Sequence, residues 1–158
     1  MNMSNNFSEI MDEDFMVTEA DDNVNKYLTF ISAELTYGIP IENVVEIITN
    51  PSITPLPMVP TFVKGIINLR GQIVPIIDIR EIMNKPVCED TSILCVIILE
   101  IGSISIGILV DTVLQVINAP NKMSEPPSKN LDFISGMTNL SDGSIMFCLD
   151  CDALVSNK

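Results

Sequence analysis

Gly38-Ile39-Pro40-Ile41-Glu42-Asn43-Val44-Val45-Glu46-Ile47-Ile48 returns without a gap as Gly107-Ile108-Leu109-Val110-Asp111-Thr112-Val113-Leu114-Gln115-Val116-Ile117. The shared pattern is Gly-Ile-x-aliphatic-acid-x-Val-aliphatic-Glu/Gln-aliphatic-Ile. A second block follows in each copy. Gly65-Ile66-Ile67-Asn68-Leu69-Arg70-Gly71-Gln72-Ile73-Val74 is echoed by Gly136-Met137-Thr138-Asn139-Leu140-Ser141-Asp142-Gly143-Ser144-Ile145-Met146, with one residue inserted between Leu140 and Gly143. An apolar stretch carrying an aspartate closes each block, at Asp78 and at Asp150. Two blocks in the same order mark an internal repeat, and a repeat constrains the fold before any single element does.

Each copy reads as short strands punctuated by turns. Ile104, Ile106 and Ile108 alternate with Ser103, Ser105 and Gly107, the period of a half-buried strand. Tyr27 to Ile31 and Ile93 to Leu99 are further β-rich runs. Arg70-Gly71-Gln72 and Ser141-Asp142-Gly143 place glycine between apolar runs, a hairpin signal. Pro51, Pro55, Pro57 and Pro60 make an irregular connector, expected to end where Thr61 caps one helical turn. Asp78 is expected to cap a short helix through Met83, and Asp152 a terminal one.

Many short strands with little helix point to small barrels, which close on themselves and so remove sheet edges. Each copy is about 60 residues, marginal alone, so the two should pack together. The expected fold is all-β with a few short helices: two five-stranded barrel subdomains over residues 24–156, roughly 24–84 and 90–156. Terminal strands can cross between them, so the repeat boundary near residues 84–92 need not be the spatial one.

Residues 1–23 form a polar lead with Glu9, Asp12, Glu13, Asp14, Glu19, Asp21 and Asp22 and no Lys or Arg. The composition reads as a disordered acidic tail. A sharper reading is a short amphipathic segment around Phe7, Ile10, Met11, Phe15 and Met16 that docks on something. The formal net charge of the 158-residue chain is −13, with no cluster of Lys and Arg to neutralise phosphates. Nucleic acid is therefore not an expected partner. The run Ile93 to Leu99 falls far short of the roughly 20 apolar residues a spanning helix needs. The acidic start does not resemble a secretory signal, so direct membrane insertion is not expected and a cytoplasmic location is.

Catalytic chemistry finds little support. The absence of histidine removes Ser-His and Cys-His catalysis and histidine metal sites. Cys148 and Cys151 form a C-x-x-C that, with Cys88 and Cys95, admits a redox pair or a four-thiolate zinc site. The counterparts of Cys148 and Cys151 in the first copy are Ile76 and Ile79, so the thiols read as core residues. Asp78 with Glu81, or Asp150 with Asp152, read as caps and surface rather than as acid–base pairs. No activated nucleophile or glycine-rich phosphate loop is present. The expectation is no enzyme, no metal and no cofactor.

Phe62-Val63-Lys64-Gly65-Ile66-Ile67-Asn68-Leu69-Arg70-Gly71-Gln72-Ile73-Val74-Pro75-Ile76-Ile77-Asp78-Ile79-Arg80 closely resembles the signature of CheW-like domains. That signature is Phe-x-x-Gly-aliphatic-x-Asn-x-Arg-Gly followed by aliphatic-Pro-aliphatic-aliphatic-Asp-aliphatic. The likeness continues through Tyr37 to Ile47, Gly107 to Val116 and Ile145 to Leu154, covering about residues 25–155.

The resemblance implies a pair of SH3-like barrels acting as an adaptor. Its partners would be the cytoplasmic hairpin tip of methyl-accepting chemotaxis receptors and the regulatory domain of the histidine kinase CheA, at receptor arrays on the inner face of the membrane. It carries over Val44, Glu46, Gly65, Asn68 and Arg70 as receptor-binding positions, beside an apolar groove between the subdomains, with Glu46 and Arg70 as a salt bridge. It assigns no kinase-contacting residue. The second copy has Gln115 for Glu46 and Ser141 near Arg70, so both charges vanish together, as expected if they serve each other and not the barrel. A CheW-like scaffold of a non-chemotactic motility or developmental pathway would share every one of these motifs.

Overall fold

A computed structural model of the chain describes residues 24–120, 122–126 and 133–156. The two expectations attached to residues 1–23 fall outside the described residues. Ten strands run in order: β1 (Val24–Ser32), β2 (Leu35–Pro40), β3 (Val44–Thr49), β4 (Val63–Leu69), β5 (Gln72–Asp78), β6 (Cys95–Ile101), β7 (Ile104–Val110), β8 (Thr112–Pro120), β9 (Ile134–Asn139) and β10 (Ile145–Leu149). Among the described residues, helices are confined to α1 (Ile79–Ile82), α2 (Cys151–Ser156) and single 3-10 turns at Ile41–Asn43 and Thr91–Ile93.

The strands form two five-stranded sheets, ordered β8-β1-β2-β10-β9 and β3-β6-β7-β5-β4. Matched by the repeat, the two orders are the same. Each copy lends its first two strands to the sheet holding the last three of the other. The loans are sealed by parallel pairings at equivalent places, Cys148 opposite Gly38 and Ile76 opposite Gly107. The sheets therefore part at the 3-10 turn Ile41–Asn43 and at Asp111, rather than near residues 84–92. One residue between β7 and β8 is too short for a hairpin, whose tightest common loop has two. The chain has to step across.

This interleaving makes three cores. Val74, Ile76, Val96, Ile98 and Leu109 fill one barrel, and Tyr27, Ala119, Met146 and Cys148 fill the other. Between them lies a larger cluster drawn from both sheets, including Leu28, Phe30, Ile39, Ile97, Leu99, Ile106 and Ile108. The period of two in a strand sends Val96 and Ile98 into a barrel and Ile97 and Leu99 into the shared core. Both faces of the inner strands are buried, which is why they read as unbroken aliphatic runs. Ile106 and Ile108 do share one face, as their alternation suggests; Gly107 on the other face is buried against Ile76 at the parallel seam.

Three local expectations change. Thr61 caps no helix: it sits in a turn closed by the Val63 N–H donating to the Pro60 carbonyl. Ile93 belongs to a 3-10 turn with 68% of its surface exposed, and the strand starts at Cys95. The terminal helix is capped by Asp150, whose Oδ1 accepts the Ala153 N–H at 3.2 Å, and not by Asp152. Asp78 does cap α1, through the Arg80 N–H at 2.9 Å. The proline-rich connector bonds along β4 at Thr54, and Ser124 does the same beside β9. Each thus covers a sheet edge that would otherwise recruit another chain.

Candidate functional site

Leu69 and Gln72 pair as the last rungs of the β4–β5 ladder, which leaves Arg70 and Gly71 as a two-residue turn. Their φ angles, 53° and 85°, are both positive, as a type I′ hairpin requires. Asn68 steadies the turn by accepting the Gly71 N–H on Oδ1 at 2.9 Å. Arginine in the left-handed region costs on the order of 1 kcal/mol, and an asparagine would sit there more easily. The guanidinium is what that cost secures.

Its partner is Glu46 on β3. Nη2 of Arg70 lies 3.0 Å from Oε1 of Glu46, with the glutamate side chain 5% exposed and the arginine 65% exposed. The pair is therefore lopsided: a buried carboxylate anchors a guanidinium that faces solvent. A bulge between Val44 and Glu46 in the β3–β6 ladder sets this geometry. It turns Val45 outward, 45% exposed, while Val44 stays half-buried against the shared core. Beside Arg70 lies a shallow hollow of about 150 Å³, lined by Val45, Leu69, Gln72, Glu100 and Ser105 among others. All of its walls come from the β3–β7 sheet, so it is not the groove between the subdomains that the resemblance implied.

Of the five positions read from the sequence, Glu46, Asn68 and Arg70 thus meet at one hairpin end. Val44 and Gly65 are not brought to that end: Val44 packs against the shared core and Gly65 lies against the connector at Thr54. A Cβ on Gly65, whose φ is 149°, would run into the carbonyl of Thr54, which bonds the Ile66 N–H at 2.9 Å. The close approach that glycine allows there is to the chain's own connector. Val45, Gln72 and Glu100 were missed. Val44 and Val45 are identical side chains, and only the bulge decides which faces out.

Elsewhere the chemistry is quiet. The four cysteines are free. Burial raises the thiol pKa of Cys95 and Cys148, and that of Cys151 to about 12, so these thiols stay protonated near neutral pH and make poor nucleophiles. Among the described residues no group of three or more Cys, Asp or Glu is placed to hold a metal. No helix there is long and apolar enough to cross a membrane.

Two interleaved five-stranded sheets with only short helices define the fold class, an all-β double barrel. Comparisons with known proteins specify it. Residues 26–158 match the family model of the CheW-like domain. Chemotaxis protein CheW of Klebsiella aerogenes is 31% identical over 139 residues, covering 84% of this chain and 82% of that protein. Chemotaxis protein CheW of Thermotoga maritima is 27% identical over 130 residues, covering 81% and 85%. Protein FrzA of Myxococcus xanthus is 29% identical over 102 residues, covering 65% and 64%. The crystal structure of scaffolding protein TtCheW from Thermoanaerobacter tengcongensis superposes with a TM-score of 0.73 at 32% identity, covering 80% of this chain and 88% of that one. The chain belongs to the CheW-like domain family.

Proposed function

We propose that this protein couples methyl-accepting chemotaxis receptors to the histidine kinase CheA by binding both, without catalysis. The observation that carries the reading is the lopsided Glu46–Arg70 pair, 3.0 Å apart at a hairpin end beside an open hollow. A guanidinium anchored from behind is pre-organised to orient a partner. The loss of both charges in the second copy argues that they are kept for recognition.

In this reading the receptor tip, a helical hairpin, lays an apolar helix face along the hollow. Arg70 supplies the outward charge, Glu46 holds it and Asn68 fixes its turn. Val44 and Gly65 act indirectly, Val44 by holding β3 to the shared core and Gly65 by letting the connector close on β4. The regulatory domain of CheA binds a separate surface, whose residues are unassigned. The protein works in the cytoplasm, recruited to receptor arrays at the inner face of the membrane. Two sites on one small body allow receptor state to reach the kinase as a coupling free energy.

The likeness to Protein FrzA, a relative whose name carries no mention of chemotaxis, favours a second reading in which the same scaffold serves another receptor–kinase pathway. Calorimetric titration with the host's CheA regulatory domain and a soluble receptor-tip hairpin separates the two. Binding to both, with the hairpin signal lost in Arg70→Ala and Glu46→Ala variants that stay folded, supports coupling through this hairpin end. Binding to neither transfers the scaffold to the other pathway.

A further inference from the structure

Arg70 shares its hollow with a second exposed charge. Glu100, near the end of β6, lines it together with Val45, Leu69 and Gln72. Ile98 and Glu100 lie on one face of that strand, Ile98 buried in the barrel and Glu100 exposed beside the hollow. The backbone there is held twice. Glu100 pairs with Ser105 across β6–β7, and its carbonyl accepts the Asn43 side-chain N–H at 3.0 Å. Among the described residues no ion pair engages the Glu100 carboxylate.

Glu46 and Arg70 neutralise each other at 3.0 Å, so the surplus charge of this end belongs to Glu100 and is negative. The repeat ties Glu100 to the other two. It stands one rung before the last pair of the β6–β7 hairpin, as Ile31 does in β1–β2. Where the first end has Glu46, Arg70 and Glu100, the second therefore has Gln115, Ser141 and Ile31. All three charges are lost together, although no ion pair joins Glu100 to Arg70. Their shared purpose then lies outside the chain, in the partner that covers the hollow.

We propose that Glu100 selects the partner at this end, by pairing with a lysine or arginine that the partner carries beside the apolar side chains it lays on Val45 and Leu69. The proposal rests on the coupling reading and names the chemistry of the face that the receptor hairpin presents here. A partner seated on the hollow strips water from the carboxylate. A covered carboxylate without a cation opposes binding, so neutral and acidic faces are rejected and a basic one is accepted. Arg70, already neutralised, needs no carboxylate from the partner, and its remaining N–H groups suit carbonyl oxygens. The net charge of −13 draws the same basic face toward the chain at long range.

Calorimetric titration of the full chain with the soluble receptor-tip hairpin tests this, with thermal melts to show that each variant is folded. Glu100→Lys is expected to weaken binding by about tenfold, and Glu100→Gln by less. Glu89→Lys, an equal change of charge in the exposed loop before β6, should stay within about twofold of wild type. Reversing one Lys or Arg of the hairpin to Glu should weaken binding to wild type and restore binding to Glu100→Lys. Glu100→Lys that binds like wild type, while Arg70→Ala does not, overturns the pairing and leaves the coupling reading standing. Equal losses in Glu100→Lys and Glu89→Lys overturn it as well, because overall charge then accounts for both. So does a set of hairpin reversals in which none restores Glu100→Lys. A wild-type chain that binds no hairpin overturns the pairing and the coupling reading together.

Discussion

Arg80 grips Asp111 with two hydrogen bonds, Nε to Oδ1 at 3.2 Å and Nη2 to Oδ2 at 2.6 Å. The same guanidinium donates from Nη1 to the Pro86 carbonyl at 3.0 Å, and Asp111 Oδ2 also accepts the Ala33 N–H at 3.2 Å. Asp111 is the lone residue between β7 and β8, where the chain passes from one sheet to the other. The pair therefore ties three segments to one crossover. The repeat places Glu42 and Asp152 at the matching positions of the other crossover, two acids that cannot form such a grip.

Removing the grip should cost stability. Arg80→Ala is expected to destabilise the fold by about 1–3 kcal/mol, since a charged, two-point hydrogen bond is lost and a half-buried carboxylate is stranded. Arg80→Lys should recover only part, because an ammonium cannot match the two-oxygen geometry. Urea unfolding followed by circular dichroism measures both, and a loss for Arg80→Ala below about 0.5 kcal/mol would refute the role.

At the hairpin end the backbone and the ion pair pull in opposite directions. Both Arg70→Gly and Arg70→Ala leave Glu46 buried without its partner, but only glycine takes the φ of 53° without strain. Arg70→Ala should therefore be the less stable of the two by about 1 kcal/mol. The Glu46→Gln/Arg70→Ala double variant should be less destabilised than the sum of the singles. Strict additivity in a thermal-melt cycle would mean that the pair carries no coupling.

The two parallel seams should respond unequally to the same insult. A Cβ on Gly107 would stand 2.6 Å from Ile76 Cδ1 and 2.8 Å from Val96 Cγ1, both in a packed barrel. On Gly38 it would meet the end of Met146, an unbranched side chain that can swing away. Overpacking of this kind costs about 1–3 kcal/mol, so Gly107→Ala should fall near the top of that range and Gly38→Ala near the bottom. Equal losses, or the reverse order, would contradict the packing described for the seams.

The repeat made the barrels legible because aliphatic positions at fixed spacing leave a strand few other registers. The exchange of first hairpins was not legible. It depends on a one-residue link, and Val110-Asp111-Thr112 carries no glycine or proline to announce a change of sheet. Capping failed for a related reason. Asp150 and Asp152 are chemically the same, and the end of β10 at Leu149 decides which one meets the helix. Glu46 and Arg70 lie too far apart in sequence for any local period to join them. Family resemblance and the joint loss of both charges in the second copy pointed to them, whereas the outward turn of Val45 waits on a bulge that no spacing encodes.

Asp78 gives the fold a pH dependence of unusual sign. Its carboxyl is 1% exposed: Oδ1 accepts the Arg80 N–H, while Oδ2 has no hydrogen-bond partner and sees Lys64 only at 3.8 Å. Burial outweighs these favourable contacts and raises its pKa above the ordinary 3.8. The native state therefore holds this proton more tightly than the unfolded chain does. The stabilising contribution is full below about 3.8 and is lost as pH rises through the native value. Asp78→Asn keeps a capping oxygen at α1 but cannot titrate. Stability of the wild type relative to Asp78→Asn should accordingly increase on going from about pH 7 to about pH 4. Lys64→Met removes the nearby cation, which should push the native pKa higher still and steepen the difference. Urea midpoints of the three proteins across that range decide it. A difference that is flat, or that shrinks with acidification, would mean that Asp78 is charged in the native state and that the lysine, despite its distance, outweighs burial.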